Sequence, residues 1–183
     1  MAKVTTGTGD TGYTGLLGDQ RVAKYDPRPD TFGTVDEATS ALGLARATAQ
    51  DPRVKDIIYH IQQELYLLMA ELATPPENYE KMGFRMTADH VKHLEQVEEQ
   101  LKQEVEIPNK FIIPGDTLDG AALDLARTII RRAERMAVKL LHDHVIENAE
   151  VVRYLNRLSD LVFIIARYVE VKSSLAQMPD ESK

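Results

Sequence analysis

Four arginines stand within nine residues, Arg127, Arg131, Arg132 and Arg135, with Asp124 and Glu134 close by. Arg127, Arg131 and Glu134 follow at i, i+4 and i+7, so on a helix they form one stripe. Ala122, Leu125, Ala126, Ile129, Ile130, Ala133, Met136, Ala137 and Leu140 recur at helical spacing and fall on a different, apolar arc. At about 100° per residue the stripe lies well off the centre of that arc. Its guanidinium groups therefore point away from the helix's own core and meet either water or another surface. Against water they make a solvated face with ion pairs of about 0.3–0.5 kcal/mol each. Against a ligand they have the planar fork that captures phosphate or carboxylate with two hydrogen bonds.

A second candidate lies at the start of the chain. Thr5, Thr6, Gly7, Thr8, Gly9, Asp10, Gly12, Tyr13 and Thr14 belong to a stretch packed with glycine and threonine. Such a loop turns backbone amides toward a phosphate and adds hydroxyl donors. Gly7 to Thr14 has the spacing of a P-loop, but Tyr13 stands where that motif has lysine, and no strand is evident before it. The competing reading is a flexible amino-terminal arm. Arg21 and Lys24 follow closely and add positive charge. A third candidate is the polar trio Asn156, Arg157 and Asp160, which interrupts an otherwise apolar helical run and needs partners if buried. His90 and His93 are read as surface residues, because the chain contains no Glu-x-x-His pair of the kind that builds di-metal bundles.

Composition narrows the chemistry. The chain has 183 residues and no cysteine, which removes disulfides, thiolate metal sites and cysteine nucleophiles. A net charge of -7 argues against a general nucleic-acid partner, whereas a local basic stripe suits a small anion. No signal-peptide pattern opens the chain, and the longest apolar run, Leu161 to Ala166, is too short to span a bilayer. A cytoplasmic protein without membrane contact is the expectation.

The elements that must position these residues are helical. The first helix is expected from Thr31 or Thr34 to about Gln50, after an extended Asp26-Pro27-Arg28-Pro29 connector. The second spans about 52–73, a loop covers 75–86, and the third runs from Thr87 or Ala88 to about Val105. The fourth follows Pro114 with Asp116 or Thr117 as its cap and ends at His142 or His144. The fifth runs from about Glu147 to Lys172 and is nearly apolar all round in its middle. No sheet is evident. The fold class is all-α: a five-helix bundle over 31–172, an irregular amino-terminal arm over 1–30 and a polar tail over 173–183, as one domain.

Three stretches taken together carry a resemblance: TGTGDTGYTGLLGDQRVAKYDPRPDTFGTVDE, FIIPGDTLDGAALDLARTIIRRAER and NRLSDLVFIIARY. They resemble the PduO-type ATP:cob(I)alamin adenosyltransferases over nearly the whole chain, the second and third helices least distinctively. The resemblance implies a homotrimer with active sites between subunits. It implies transfer of the 5′-deoxyadenosyl group of ATP to the cobalt of a reduced corrinoid such as cobalamin, with release of triphosphate. A flavin-dependent reductase and a B12-dependent acceptor enzyme are the further partners it implies.

By the same resemblance the Thr5–Thr14 loop and Lys24 bind ATP, and Asp36 pairs with Arg127. Arg131 holds the polyphosphate, and Glu134 lies near the nucleotide and its Mg2+. Arg135 and Asn156 help hold ATP, and Phe111 lies beside the corrin and keeps the lower axial ligand off cobalt. Two departures stand out. Gly7 and Thr11 occupy positions where the family usually has lysine, and Asp116 replaces its usual second glycine, with Asp119 adding another acid. The reduced loop charge motivates a second reading, a non-catalytic corrinoid- and ATP-binding chaperone or sensor of the same fold.

Overall fold

Asp26 begins the helical part of the protein. In the computed structural model, which describes residues 5–107 and 109–176, its carboxylate accepts from the backbone N–H of Arg28 at 2.9 Å. Helix α1 then runs over Pro27–Thr48, several residues earlier than the sequence suggested. Pro27 and Pro29 fit there because the first-turn N–H groups have no helical partner to lose. The stretch read as an extended connector is therefore the first turn of a capped helix. Helix α2 (Pro52–Leu72) follows, capped likewise by Asp51 on the N–H of Arg53. The expected loop at 75–86 contains a 3-10 turn, Pro76–Asn78, and a one-turn helix α3, Tyr79–Met82.

Helix α4 spans Ala88–Lys102, and His90 serves its start: its Nδ1 accepts the N–H of Thr87 at 3.1 Å. Helix α5 covers Leu118–His142, and of the two caps considered Thr117 is the one used, its hydroxyl accepting from the N–H of Gly120. Helix α6 covers Ala149–Ala176, so the expected tail begins inside the helix; residues 177–183 of that tail lie outside the described residues. Helix α1 packs on α2 and α5, α5 packs on α6, and α6 packs on α4. The shared core is apolar, with Leu42, Ile58, Leu65, Leu123 and Ile130 wholly enclosed. Each such side chain is worth about 2–5 kcal/mol against truncation to alanine. Among the described residues no helix is long and apolar enough to cross a membrane.

The amino-terminal arm departs from expectation. It contains a two-stranded antiparallel hairpin, β1 (Tyr13–Gly15) and β2 (Arg21–Ala23), paired in the register Tyr13 with Ala23 and Thr14 with Val22. Three-residue strands carry almost no periodic signal, and tertiary contacts hold them. Leu16 is buried, Leu17 donates to the carbonyl of Ala73 at 2.8 Å, and Gly18 takes φ of 119° against Asn78. The hairpin is thereby docked at the end of the bundle where α2 finishes.

Arg28 secures the same end. It is buried, with Nη1 donating to the carbonyls of Leu72 and Thr74 at 2.8 and 3.0 Å, and Nη2 donating to that of Val145. One guanidinium thus ties α1 to the close of α2 and to the turn between α5 and α6. Beside it the buried Glu71 accepts from Asn148 Nδ2 at 2.8 Å and from the N–H of Met86.

At the opposite end α5 and α6 approach too closely for a side chain at Gly120. A Cβ there would stand 2.7 Å from Thr117 Oγ1 and 2.8 Å from Glu170 Oε1. Gly120→Ala is expected to lower unfolding stability by about 1–3 kcal/mol through overpacking. Chemical denaturation measures this, and an unchanged midpoint would show that Glu170 moves aside freely.

Candidate functional site

Helix α5 carries the candidate residues at its middle. Arg131 is exposed, and its side chain makes no hydrogen bond among the described residues. Its backbone carbonyl accepts from Arg135 Nη1 at 2.9 Å, which lays the Arg135 side chain back along the helix. One turn further, the half-buried Glu134 accepts from Asn156 Nδ2 of α6 at 2.8 Å through Oε1. Arg157 extends this line, donating from Nη1 to Asn156 Oδ1 at 3.0 Å and from Nε to Glu95 of α4 at 2.9 Å. The trio on α6 is therefore a surface network rather than a buried one: Asn156 and Arg157 are half-buried and Asp160 is exposed. Asn156 and Glu134 join α6 to α5 beside Arg131, and Arg131 and Glu134 both lie near Asp160.

Asp160 faces the same group of charges. It is exposed by surface area, yet its neighbours crowd the carboxyl enough that burial leads in pushing its pKa up, followed by Glu98; Arg157 and Arg131 oppose the rise. The native state therefore keeps this proton at pH values above the ordinary 3.8 at which the unfolded chain releases it. The native state binds more protons in that window, so this contribution to stability falls as pH rises through the folded value. Asp160→Asn is expected to flatten that part of the stability–pH curve, measured by thermal midpoints across the acid range. An unchanged slope would contradict the assignment.

Arg127 is only half exposed, contrary to a simple outward-facing stripe. Its Nε lies 3.4 Å from Asp124 Oδ1, and its guanidinium carbon sits 5.9 Å from the centre of the Phe163 ring. Asp36 is exposed on α1 and does not touch it; the neighbouring Glu37 pairs with Arg132 instead. Within one chain the Asp36–Arg127 pair is therefore not formed. The physical reason is direction. Glu37 and Arg132 occupy the α1–α5 seam, whereas Arg127 leans toward α6.

Behind Arg127 lies a buried ion pair that nothing in the sequence announces. Arg167 Nη2 donates to Asp124 Oδ2 at 2.7 Å and to Glu170 Oε1 at 2.8 Å, and the Arg167 and Asp124 side chains are only 3% and 4% exposed. Glu170 Oε2 also lies 2.8 Å from Arg167 Nε, but off the line of that N–H, so this second contact is electrostatic. Burial first, and then Asp116 and Asp124, pushes the Glu170 carboxyl up against the pull of Arg167. A lone Arg inside an apolar run, paired to an Asp 43 residues away, leaves no periodic signature.

Arg167 and Glu170 form one wall of a groove of about 430 Å³ with Phe111, Ile112, Ile113 and Asp116. Phe111 stands fully in solvent at the mouth of α5, and Ile113 is 86% exposed. Neighbouring bare apolar side chains of this kind are what interaction surfaces present. Leu125, which the apolar arc placed inward, is also exposed, as is Leu118 seven residues before it on the same face of α5.

The amino-terminal loop lies at the other end of the bundle. Thr5, Thr6, Gly7 and Thr8 are exposed; Thr6 and Thr8 share a hydroxyl hydrogen bond of 3.0 Å. Asp10 N donates to Gly7 O and Gly12 N to Gly9 O, while Gly7 and Gly12 take φ of 71° and 82°. Tyr13 and Thr14 pass into β1, and the Tyr13 carbonyl accepts from Arg21. Lys24 lays its ammonium over Gly9, where a Cβ would stand 2.9 Å from Nζ. The Asp10 and Gly12 amides are thus spent on the loop's own turns, and Lys24 is a cation that lies against it.

These groups are spread along the bundle. Arg131 stands about 20 Å along the axis from Leu118 and about 17 Å from His142, at 1.5 Å per residue. Among the described residues no recorded hydrogen bond joins the glycine loop to Arg131 or to Phe111.

A family model described as cobalamin adenosyltransferase matches residues 4–169. A corrinoid adenosyltransferase of Citrobacter freundii is 35% identical, covering 93% of this chain and 96% of its own. One of Bacillus subtilis (strain 168) is 38% identical, covering 98% and 92%. Among solved structures, a phenylalanine-to-alanine variant of the PduO-type ATP:corrinoid adenosyltransferase of Lactobacillus reuteri, complexed with cobalamin and ATP, superposes with a TM-score of 0.84. It is 36% identical and covers 97% of each chain. An arginine-to-lysine variant of the PduO-type enzyme from the same organism, complexed with ATP, gives 0.85 at 36% identity, covering 94% of this chain and 96% of its own.

Proposed function

This chain belongs to the cobalamin adenosyltransferase family, and we infer that it transfers the 5′-deoxyadenosyl group of ATP to the cobalt of a reduced corrinoid. The protein is an enzyme with ATP and a corrinoid such as cobalamin as substrates. Cobalt(I) attacks the 5′ carbon, a cobalt–carbon bond forms, the carbon–oxygen bond breaks, and triphosphate leaves with the electron pair. No side-chain nucleophile is needed. The work left to the protein is to align the partners and to stabilise charge growing on the leaving group.

The single observation that carries the residue assignments is Arg131: an exposed guanidinium without a partner among the described residues, beside the Glu134–Asn156 pair at mid-bundle. Arg131 holds the polyphosphate and Asn156 steadies the nucleotide, with Arg135 alongside. Glu134 Oε2 makes no hydrogen bond among the described residues, so one carboxylate oxygen is available to Mg2+ carried in on ATP. The glycine loop from Thr5 to Thr14 and Lys24 close over the phosphates, with the Thr5, Thr6, Thr8 and Thr14 hydroxyls and the Lys24 ammonium as donors. Phe111 meets the lower corrin face.

The assembly we infer is the homotrimer that the family resemblance implies, in which one subunit's glycine loop reaches the arginines of its neighbour; the separation of Arg131 from both ends of α5 favours such a shared site. Asp36 of one subunit then meets Arg127 of the next. The exposed Leu118, Leu125 and Ile113 supply apolar area for such a contact. Steady-state adenosylation of chemically reduced cobalamin tests the activity. ATP and corrinoid binding without product would favour the chaperone or sensor instead. A fully active monomer would overturn the shared site.

A further inference from the structure

We propose that Asp124 is a positioning residue for the transfer reaction: held from behind by the buried Arg167, it fixes Arg127 by its Nε and leaves the outer end of that guanidinium facing the neighbouring surface. The inference rests on the placement of Arg127 in the site.

The charge count is the first reason. Arg167 already has a carboxylate in Glu170, which accepts from Nη2 at 2.8 Å. A second carboxylate almost fully withdrawn from water would be a cost if Arg167 alone required neutralising. Asp124 divides its two oxygens instead, Oδ2 toward Arg167 at 2.7 Å and Oδ1 toward Arg127 Nε at 3.4 Å. Two arginines and two carboxylates then balance.

Geometry is the second. Both guanidinium groups lie against the same Phe163 ring, at 5.1 and 5.9 Å from its centre. The ring and Asp124 together define where the Arg127 side chain lies. With Nε engaged inward, neither Nη group of Arg127 has a hydrogen-bond partner among the described residues, and both remain for an anion from outside. A long side chain ordered beforehand does not have to lose its rotamer freedom when the site assembles.

The test is a double-mutant cycle on the full-length protein with ATP and pre-reduced cob(I)alamin, comparing wild type, Asp124→Asn, Arg127→Lys and the double variant. Asp124→Asn is expected to lower kcat about tenfold, as loss of a charge-assisted hydrogen bond would, with the far-ultraviolet spectrum retained. In the Arg127→Lys background, which keeps the charge and lacks Nε, the same substitution should change kcat less than about twofold. Additive losses, or an Asp124→Asn enzyme as fast as wild type, would overturn the proposal. Wild-type turnover by Arg127→Lys would remove Arg127 from the site and this inference with it, while leaving the adenosyltransferase reading intact. Should Asp124→Asn fail to fold, Asp124→Asn with Arg167→Gln removes one buried charge of each sign. The same two backgrounds then decide.

Discussion

Arg131→Ala is expected to lower turnover with pre-reduced cob(I)alamin by about 100- to 1,000-fold while leaving the protein folded. The two halves of that expectation come from different observations. Arg131 is exposed and its side chain has no hydrogen-bond partner among the described residues, so its removal leaves no buried group unpaired. The carbonyl that Arg135 uses belongs to the backbone and survives the substitution. Stability should therefore change by no more than about 0.5 kcal/mol, the range of ordinary surface substitutions. The catalytic loss follows from the leaving group. As the carbon–oxygen bond breaks, charge collects on triphosphate, and a guanidinium bound to it gains more from that state than from bound ATP. Arg131→Lys should fall between, because an ammonium keeps the charge and loses the planar fork. Measuring kcat beside the thermal midpoint separates the effects. A large drop in midpoint, or turnover within a few-fold of wild type, would place Arg131 outside the site.

Phe111→Ala is expected to slow reaction from cob(II)alamin by about 100-fold, equivalent to about 2.7 kcal/mol, and reaction from pre-reduced cob(I)alamin by only a few-fold. Among the described residues Phe111 is packed under nothing: its ring is fully in solvent beside the groove walled by Arg167 and Glu170. Its loss therefore touches a ligand rather than the fold. Cob(II)alamin that keeps its lower axial ligand resists reduction, since the added electron must enter an orbital raised by that ligand. An apolar ring against the lower face excludes the ligand and lowers the orbital. Cobalamin supplied already reduced no longer needs that help. Comparing the two substrates with one variant is the measurement, and equal losses would contradict the lower-face role.

The outward face of Arg131 and Glu134, a cap at Asp116 or Thr117 and the span of α5 were legible because each is local. Helical spacing places Arg131 and Glu134 on one face whatever the neighbours do. The start of α1 was misplaced because Asp26, Pro27 and Pro29 look alike in a connector and in a first turn; the cap hydrogen bond decides. The hairpin was missed because Leu16 and Leu17 acquire meaning only against Ala73 and Asn78. The family resemblance placed Arg127 beside Asp36, and the folded chain sets it beside Asp124, one turn away and backed by a helix distant in sequence.

By itself the sequence determined the five long helices, most of their inward faces and the family, since these depend on periodicity, residue type and motif; the short α3, the exposed Leu125 and the lean of Arg127 toward α6 it did not. Tertiary structure alone decided which charges are buried and which ends of the bundle the loops occupy. Pairs such as Arg167 with Asp124, or Arg28 with the carbonyls of Leu72, Thr74 and Val145, join residues far apart in the chain. Removing a charge from water is tolerable only where a partner waits, and where that partner waits is a property of the packed helices.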